Sequence, residues 1–115
     1  MRVMTLLKSA GNFGMPPQEL FAALGALGEE LQATGVLVET AGLAPTAASP
    51  LVKLADDTIT VTNGFEGAGT VDAYAIYEVE SIDDAVKLAQ SFLEIHQKYW
   101  PAWSGEVEVR QTFGG

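Results

Sequence analysis

Between Thr58 and Glu80 the chain reads TITVTNGFEGAGTVDAYAIYEVE: a β-run, a glycine-rich turn and a second, longer β-run. In the second run Ala73, Ala75, Tyr77 and Val79 alternate with Asp72, Tyr74, Ile76, Glu78 and Glu80, the period of a strand. This strand belongs in the middle of a sheet, and the remaining elements read as strands and helices laid against it.

From the N-terminus, Val3, Thr5 and Leu7 alternate with Arg2, Met4, Leu6 and Lys8, which predicts a first, mostly buried strand. Ser9 to Met15 is a loop of two glycines and an asparagine. Pro16 and Pro17 open a helix, because proline suits a first turn. Leu20, Phe21, Leu24, Leu27 and Leu31 carry it to about Thr34, and Gly35 stops it. Gly25 and Gly28 inside this helix cost stability relative to alanine, which suggests close packing against the sheet.

A second strand follows from Val36 to Leu43, then a loop of small residues and prolines. Leu51 to Thr62 folds back through Asp56-Asp57 as a hairpin. Asn63-Gly64 supplies positive-φ residues to the next turn, and Gly67 and Gly69 keep the loop after it open. Ser81 with Asp84 marks a capping-box-like start to a second helix, whose stripe is Ile82, Ala85, Val86, Ala89, Phe92, Leu93 and His96. Pro101 ends it, and Gly105 to Phe113 is the last strand.

The predicted order is β-α-β, a hairpin insert, then β-α-β. Two split β-α-β units make an α+β, ferredoxin-like antiparallel sheet with both helices on one face. The other face mixes large side chains with charges: Arg2, Met4, Glu39, Tyr74, Ile76, Glu108 and Arg110. A half-apolar face is seldom left in water, so a second subunit closing over it is expected, enclosing a partly polar cleft.

At 115 residues the chain is read as one domain, 1–115, able to bury roughly two-thirds of its unfolded surface. It has no cysteine, which removes disulfides, thiolate metal sites and a cysteine nucleophile, and suits a reducing cytoplasm. The apolar run at the N-terminus is too short for a signal peptide, and no window reaches the ~20 apolar residues of a membrane span. A soluble, cytoplasmic protein is expected. The net charge is −9, and the six cations are scattered at Arg2, Lys8, Lys53, Lys87, Lys98 and Arg110. Backbone phosphates need clustered cations, so neither nucleic acid nor an anionic membrane is expected as a partner.

Several stretches resemble the YCII-related, or DGPF-motif, family. They are the opening VMTLLKS, the helix end GEELQATGVLVETAGLAP, the hairpin into TVTNGF, and DAYAIYEVESIDDAVKLAQSF. The closing HQKYWPAWSGEVEVRQTF resembles one branch of that family most closely. The likeness runs over almost the whole chain. It implies a ferredoxin-like, dimeric α+β barrel of mostly bacterial, cytoplasmic proteins whose biochemical function is largely unestablished. Some members sit beside, or are fused to, alternative sigma factors, so sigma-factor association is implied by the resemblance alone. The family's Asp-Gly-Pro-Phe is Asn63-Gly64-Phe65 here, without the acid or the proline, and EGAGTVD replaces the charged tract that follows it. Chemistry that relatives perform with those groups is in doubt for this chain.

His96, the sole histidine, is the one side chain that titrates near neutrality unaided. It lies at a helix C-terminus, where the macrodipole favours its charged form, and shares its stripe with Phe92 and Leu93. It is either a general acid/base or anion anchor in an aromatic pocket, or a helix-capping residue bonded to a backbone carbonyl. Trp100 and Trp103 are a ligand platform, or packing in the core or at a dimer interface. Asn63 and Phe65 line a cleft, or make a turn with a packed aromatic. Glu39, Glu108 and Arg110 orient a polar ligand, or pair across the sheet. Tyr74 completes the candidate ligand set of Tyr74, Trp100, Trp103, Asn63, Phe65, Glu39 and Arg110.

A single histidine and scattered carboxylates make no recognisable metal site, and no cofactor is expected. Ser104 has no triad pattern around it, and Gly67-x-Gly69 lacks the spacing of a phosphate loop. Three functions remain open. The first is a dimeric, regulatory domain that binds a small polar or aromatic molecule near His96 and the tryptophans. The second is a cofactor-free enzyme with His96 as acid/base, by analogy with the barrel superfamily. The third is a structural or protein-interaction dimer.

Overall fold

The computed structural model describes residues 1–66 and 70–114. The elements are β1 (Arg2–Ser9), α1 (Gln18–Ala33), β2 (Leu37–Gly42), β3 (Pro50–Ala55), β4 (Thr58–Asn63), β5 (Ala73–Glu78), α2 (Ile82–Tyr99) and β6 (Gly105–Gln111). A single 3-10 turn, Thr46–Ala48, joins β2 to β3. The open loop expected at Gly67 and Gly69 lies outside the described residues.

The fold is α+β. Four strands form an antiparallel sheet in the order β2-β5-β1-β6, compatible with the ferredoxin-like class, and β3-β4 form a separate two-stranded sheet. β5 does sit in the middle, between β1 and β2.

Local chemistry accounts for the boundaries. Pro17 is the cap residue of α1, and Gly35 follows the helix with φ of 78°. Ser81 accepts a hydrogen bond from the Asp84 amide at 3.3 Å and so caps α2. Asp56 and Asp57 have φ of 51° and 62°, the left-handed pair that a two-residue hairpin turn needs. Of the Asn63-Gly64 pair only Gly64 has positive φ, at 88°, because Asn63 still belongs to β4. The Gly64 amide donates to the Ser49 carbonyl at 2.9 Å and the Phe65 amide to Thr46 at 3.0 Å, tying the hairpin base to the 3-10 turn.

One register detail decides which residues share a face. Leu37 pairs with Tyr77, but Glu39 pairs with Ile76, so Val38 is an extra residue in a β-bulge. The bulge turns Glu39 away from the side of Leu37 and onto the face of Met4 and Ile76. Arg2, Met4, Leu6 and Lys8 of β1 share that open face with Tyr74, Ile76 and Glu78 of β5 and with Glu106, Glu108 and Arg110 of β6.

On the opposite face Val3, Leu37 and Tyr77 are buried beside Leu20 of α1 and Ala85 and Ala89 of α2. α2 lies against β1 and β6, where two buried alanines let its backbone come close, whereas α1 contacts α2 and β2. α1 thus leans on the sheet's β2 edge and leaves room over its middle. The close packing expected of Gly25 and Gly28 is not found. A Cβ on Gly25 would meet nothing within 4 Å, and one on Gly28 would meet only Leu37 Cδ2 at 3.9 Å. Both glycines border open space.

Candidate functional site

That space is a cavity of about 940 Å³ between the helices and the sheet. Its floor is the helix-side face of the strands, with Thr5, Leu7, Ala75, Tyr77 and Val107. Its roof is the apolar stripe of α1, with Leu24, Leu27 and Leu31. The leucines of α1 thus border a half-open chamber.

One end of the chamber is aromatic. Trp100 and Trp103 are stacked, with ring centroids 6.4 Å apart, and Phe13 stands edge-on to Trp100 at 6.4 Å. The His96 ring lies between Trp103, at 4.5 Å, and Phe92, at 4.7 Å. These rings converge because α2 ends at Tyr99 and Pro101 turns the chain back. The Trp100 amide closes the last turn on the His96 carbonyl at 2.7 Å, and the Trp103 amide bonds Trp100 at 3.0 Å.

His96 is only 4 % exposed, and its Nδ1 lies 3.0 Å from the Phe92 carbonyl oxygen. A carbonyl can only accept, so Nδ1 carries the proton and Nε2 is left as an acceptor in the neutral ring. Among the described residues no sealed side-chain nitrogen or oxygen lacks a partner, so Nε2 keeps some exposure, and the ring borders both this cavity and a smaller groove beside Gln90, Glu94 and Ser104. Burial holds the imidazole below the ordinary histidine range, and the Phe92 carbonyl offsets this in part. The helix terminus was expected to favour the charged ring; desolvation outweighs it.

A hydrogen-bonded relay flanks the rings. Trp103 Nε1–H donates to Ser9 Oγ at 3.0 Å, and the Ser9 amide donates to Asp72 Oδ2 at 2.7 Å. Ser9 and Asp72 both line the cavity. On its floor, burial pushes the Tyr77 phenol up, with Thr5 opposing. No lysine or arginine lines the cavity among the described residues, and Asp72 contributes a negative charge. An anionic ligand would have no counter-charge here.

The structure brings His96, Trp100 and Trp103 to this one cavity, and Tyr74 borders it from a strand position whose side chain the register assigns to the opposite face. There, on the open face, it pairs with Leu6. Asn63, Phe65, Glu39 and Arg110 do not line the cavity. Asn63 ends β4 opposite Pro50, and Glu39 and Arg110 are on the open face. There Glu108 accepts from Lys8 of the neighbouring strand at 2.7 Å and lies 3.6 Å from Arg110, two residues along its own strand. The Lys8 ammonium holds the Glu108 carboxyl below its usual range. Sequence reasoning missed Phe13, Ser9, Asp72, Tyr77 and the leucine roof. The leucine spacing was visible as the repeat of a helix, and a repeat does not say what its stripe faces. Among the described residues no group of three or more His, Asp or Glu is placed to hold a metal ion.

No helix among the described residues is long and apolar enough to cross a membrane. Compared with known proteins, the chain matches no family model, and no curated protein matches it.

Proposed function

We propose that the protein is a small-molecule-binding domain of the YCII-related kind, homodimeric and cytoplasmic, with its ligand site in the chamber under α1. The observation that carries this reading is the chamber's size, about 940 Å³, within the range of sites that enclose drug-sized molecules. The lining selects the ligand class. Leucines and aromatic rings favour an apolar, ring-containing molecule, and His96 Nε2 and Asp72 accept from a hydroxyl, amide or ammonium donor. The absence of a lining cation among the described residues, with a chain charge of −9, argues against carboxylates and phosphates.

The test is a thermal-shift panel of indole, phenol and aryl-ethylamine compounds beside their carboxylate analogues, since binding adds stability directly. Neutral and cationic aromatics are expected to raise Tm in the wild type, and carboxylates are not. His96→Ala and the cavity-filling Gly28→Leu lose the effect. A panel without any stabilising compound, or one in which carboxylates do as well as amines, sinks the reading.

The neutral ring fixed by Phe92 also favours a second reading, a cofactor-free enzyme with His96 Nε2 as general base. Compounds found by the panel would then turn over, and His96→Ala would abolish turnover while leaving part of the binding.

A further inference from the structure

Among the described residues the hairpin β3–β4 pairs with no other strand, and its apolar face is left exposed. Register places Val52 opposite Val61 and Leu54 opposite Ile59, all four on one side. They are 66 %, 66 %, 70 % and 69 % exposed, respectively. A lone two-stranded hairpin is marginal in water, and four aligned aliphatic side chains are a costly surface to leave wet. The arm is tied at its base through Gly64 and Phe65, and the chain's radius of gyration is 15.9 Å, against about 13 Å for a compact chain of this length. The hairpin stands out from the body.

The surface of the body to set against it is the open sheet face. It carries Met4, Leu6 and Ile76 at its centre and Arg2 and Arg110 at one end. Arg110 is 68 % exposed and only 3.6 Å from a Glu108 already held by Lys8. Arg2 is joined to Glu78 at 3.3 Å, and Glu39, Glu106 and Glu108 share the face. The hairpin matches this pattern: four aliphatic residues leading to a tip of Asp56 and Asp57. The face as a whole carries Arg2, Lys8 and Arg110 against Glu39, Glu78, Glu106 and Glu108, so an acidic tip has a place only at the arginine end.

We infer that the hairpin is a docking arm whose apolar face lies on the open sheet face of a second copy, with its Asp56-Asp57 tip at Arg2 and Arg110. In a two-fold dimer the contact occurs twice, since each copy has both an arm and a face. The inference rests on the homodimer reading above and adds which segment covers the face.

Sedimentation velocity of the full chain tests it together with disulfide trapping, which is clean because the chain has no cysteine. The wild type is expected to be a dimer. Leu54→Thr with Ile59→Thr keeps β-forming, solvent-exposed positions and weakens the dimer at least about tenfold. Asp57→Cys chains mixed with Arg110→Cys chains cross-link under mild oxidation, and neither does so alone. A monomeric wild type overturns both the inference and the homodimer. A dimer unaffected by the threonine pair, or cross-linking of Asp57→Cys or Arg110→Cys alone as readily as the mixture, overturns the arm while leaving the homodimer standing.

Discussion

The Nδ1–H of His96 donates to the carbonyl oxygen of Phe92 across 3.0 Å, one helical turn back. That bond sets the tautomer and leaves Nε2 as the free acceptor of the neutral ring. A ring held by its own helix needs no partner residue to orient it.

The same bond and the burial around it predict a pH dependence. The folded-state pKa of His96 lies below the unfolded value, so in the acid range the unfolded chain binds the proton first. Stability therefore rises with pH through this window and falls as pH drops below the unfolded value, near 6.5. One proton limits the slope to about 1.4 kcal/mol per pH unit. His96→Phe keeps the ring stacking and removes the titration. Urea midpoints from pH 7 to pH 5 should fall more steeply for the wild type than for His96→Phe, and parallel curves would contradict the assignment.

Ser9→Ala removes the hydroxyl that accepts from Trp103 Nε1–H and leaves a partly buried donor without its partner. The cost expected in urea denaturation is about 1–2 kcal/mol. Because the Ser9 amide still reaches Asp72, the loop keeps its anchor, and the loss should show mainly as a changed tryptophan emission spectrum. Unchanged stability and emission would mean that the bond contributes nothing.

Much of the fold was legible because its elements carry local causes. The cap at Ser81, the left-handed pair Asp56-Asp57 and the stop at Gly35 are each written in a few adjacent residues. The four-stranded order follows from two split β-α-β units. What escaped depends on register and on space. The bulge at Val38 has no composition of its own, yet it sets the face of Glu39. Ser9 and Asp72 meet only because β1 pairs with β5, 63 residues on. The stripe Leu24, Leu27 and Leu31 has the same periodicity over a filled core as over a chamber, so its spacing alone does not separate the two.

Gly25 and Gly28 separate those two cases experimentally. Where a helix packs tightly, an added methyl clashes; here it meets open space at Gly25 and ordinary contact with Leu37 at Gly28. Gly25→Ala and Gly28→Ala should each stabilise the protein by up to about 1 kcal/mol through helix propensity. Destabilisation of both, measured by urea or thermal unfolding, would show that α1 closes onto the sheet in solution.

Gly105 presents the reverse situation beside the aromatic end of the chamber. A Cβ there would sit 2.5 Å from the Lys8 carbonyl oxygen and 2.5 Å from Trp103 Cζ2. The clash with the Lys8 carbonyl, part of β1 where it pairs with β6, has to be relieved by a shift of the strand, and the clash with the indole by movement of the ring. Moving it breaks the bond to Ser9 and withdraws a face from His96. Gly105→Ala should therefore cost about 1–3 kcal/mol, as overpacking does, and raise the exposure of Trp103 to a soluble quencher. Ser9→Ala combined with Gly105→Ala should cost less than the sum of the two, because the first change frees the indole that the second displaces. Strict additivity in that cycle would show that Trp103 stays in place and that the strain at Gly105 is relieved in the strand itself.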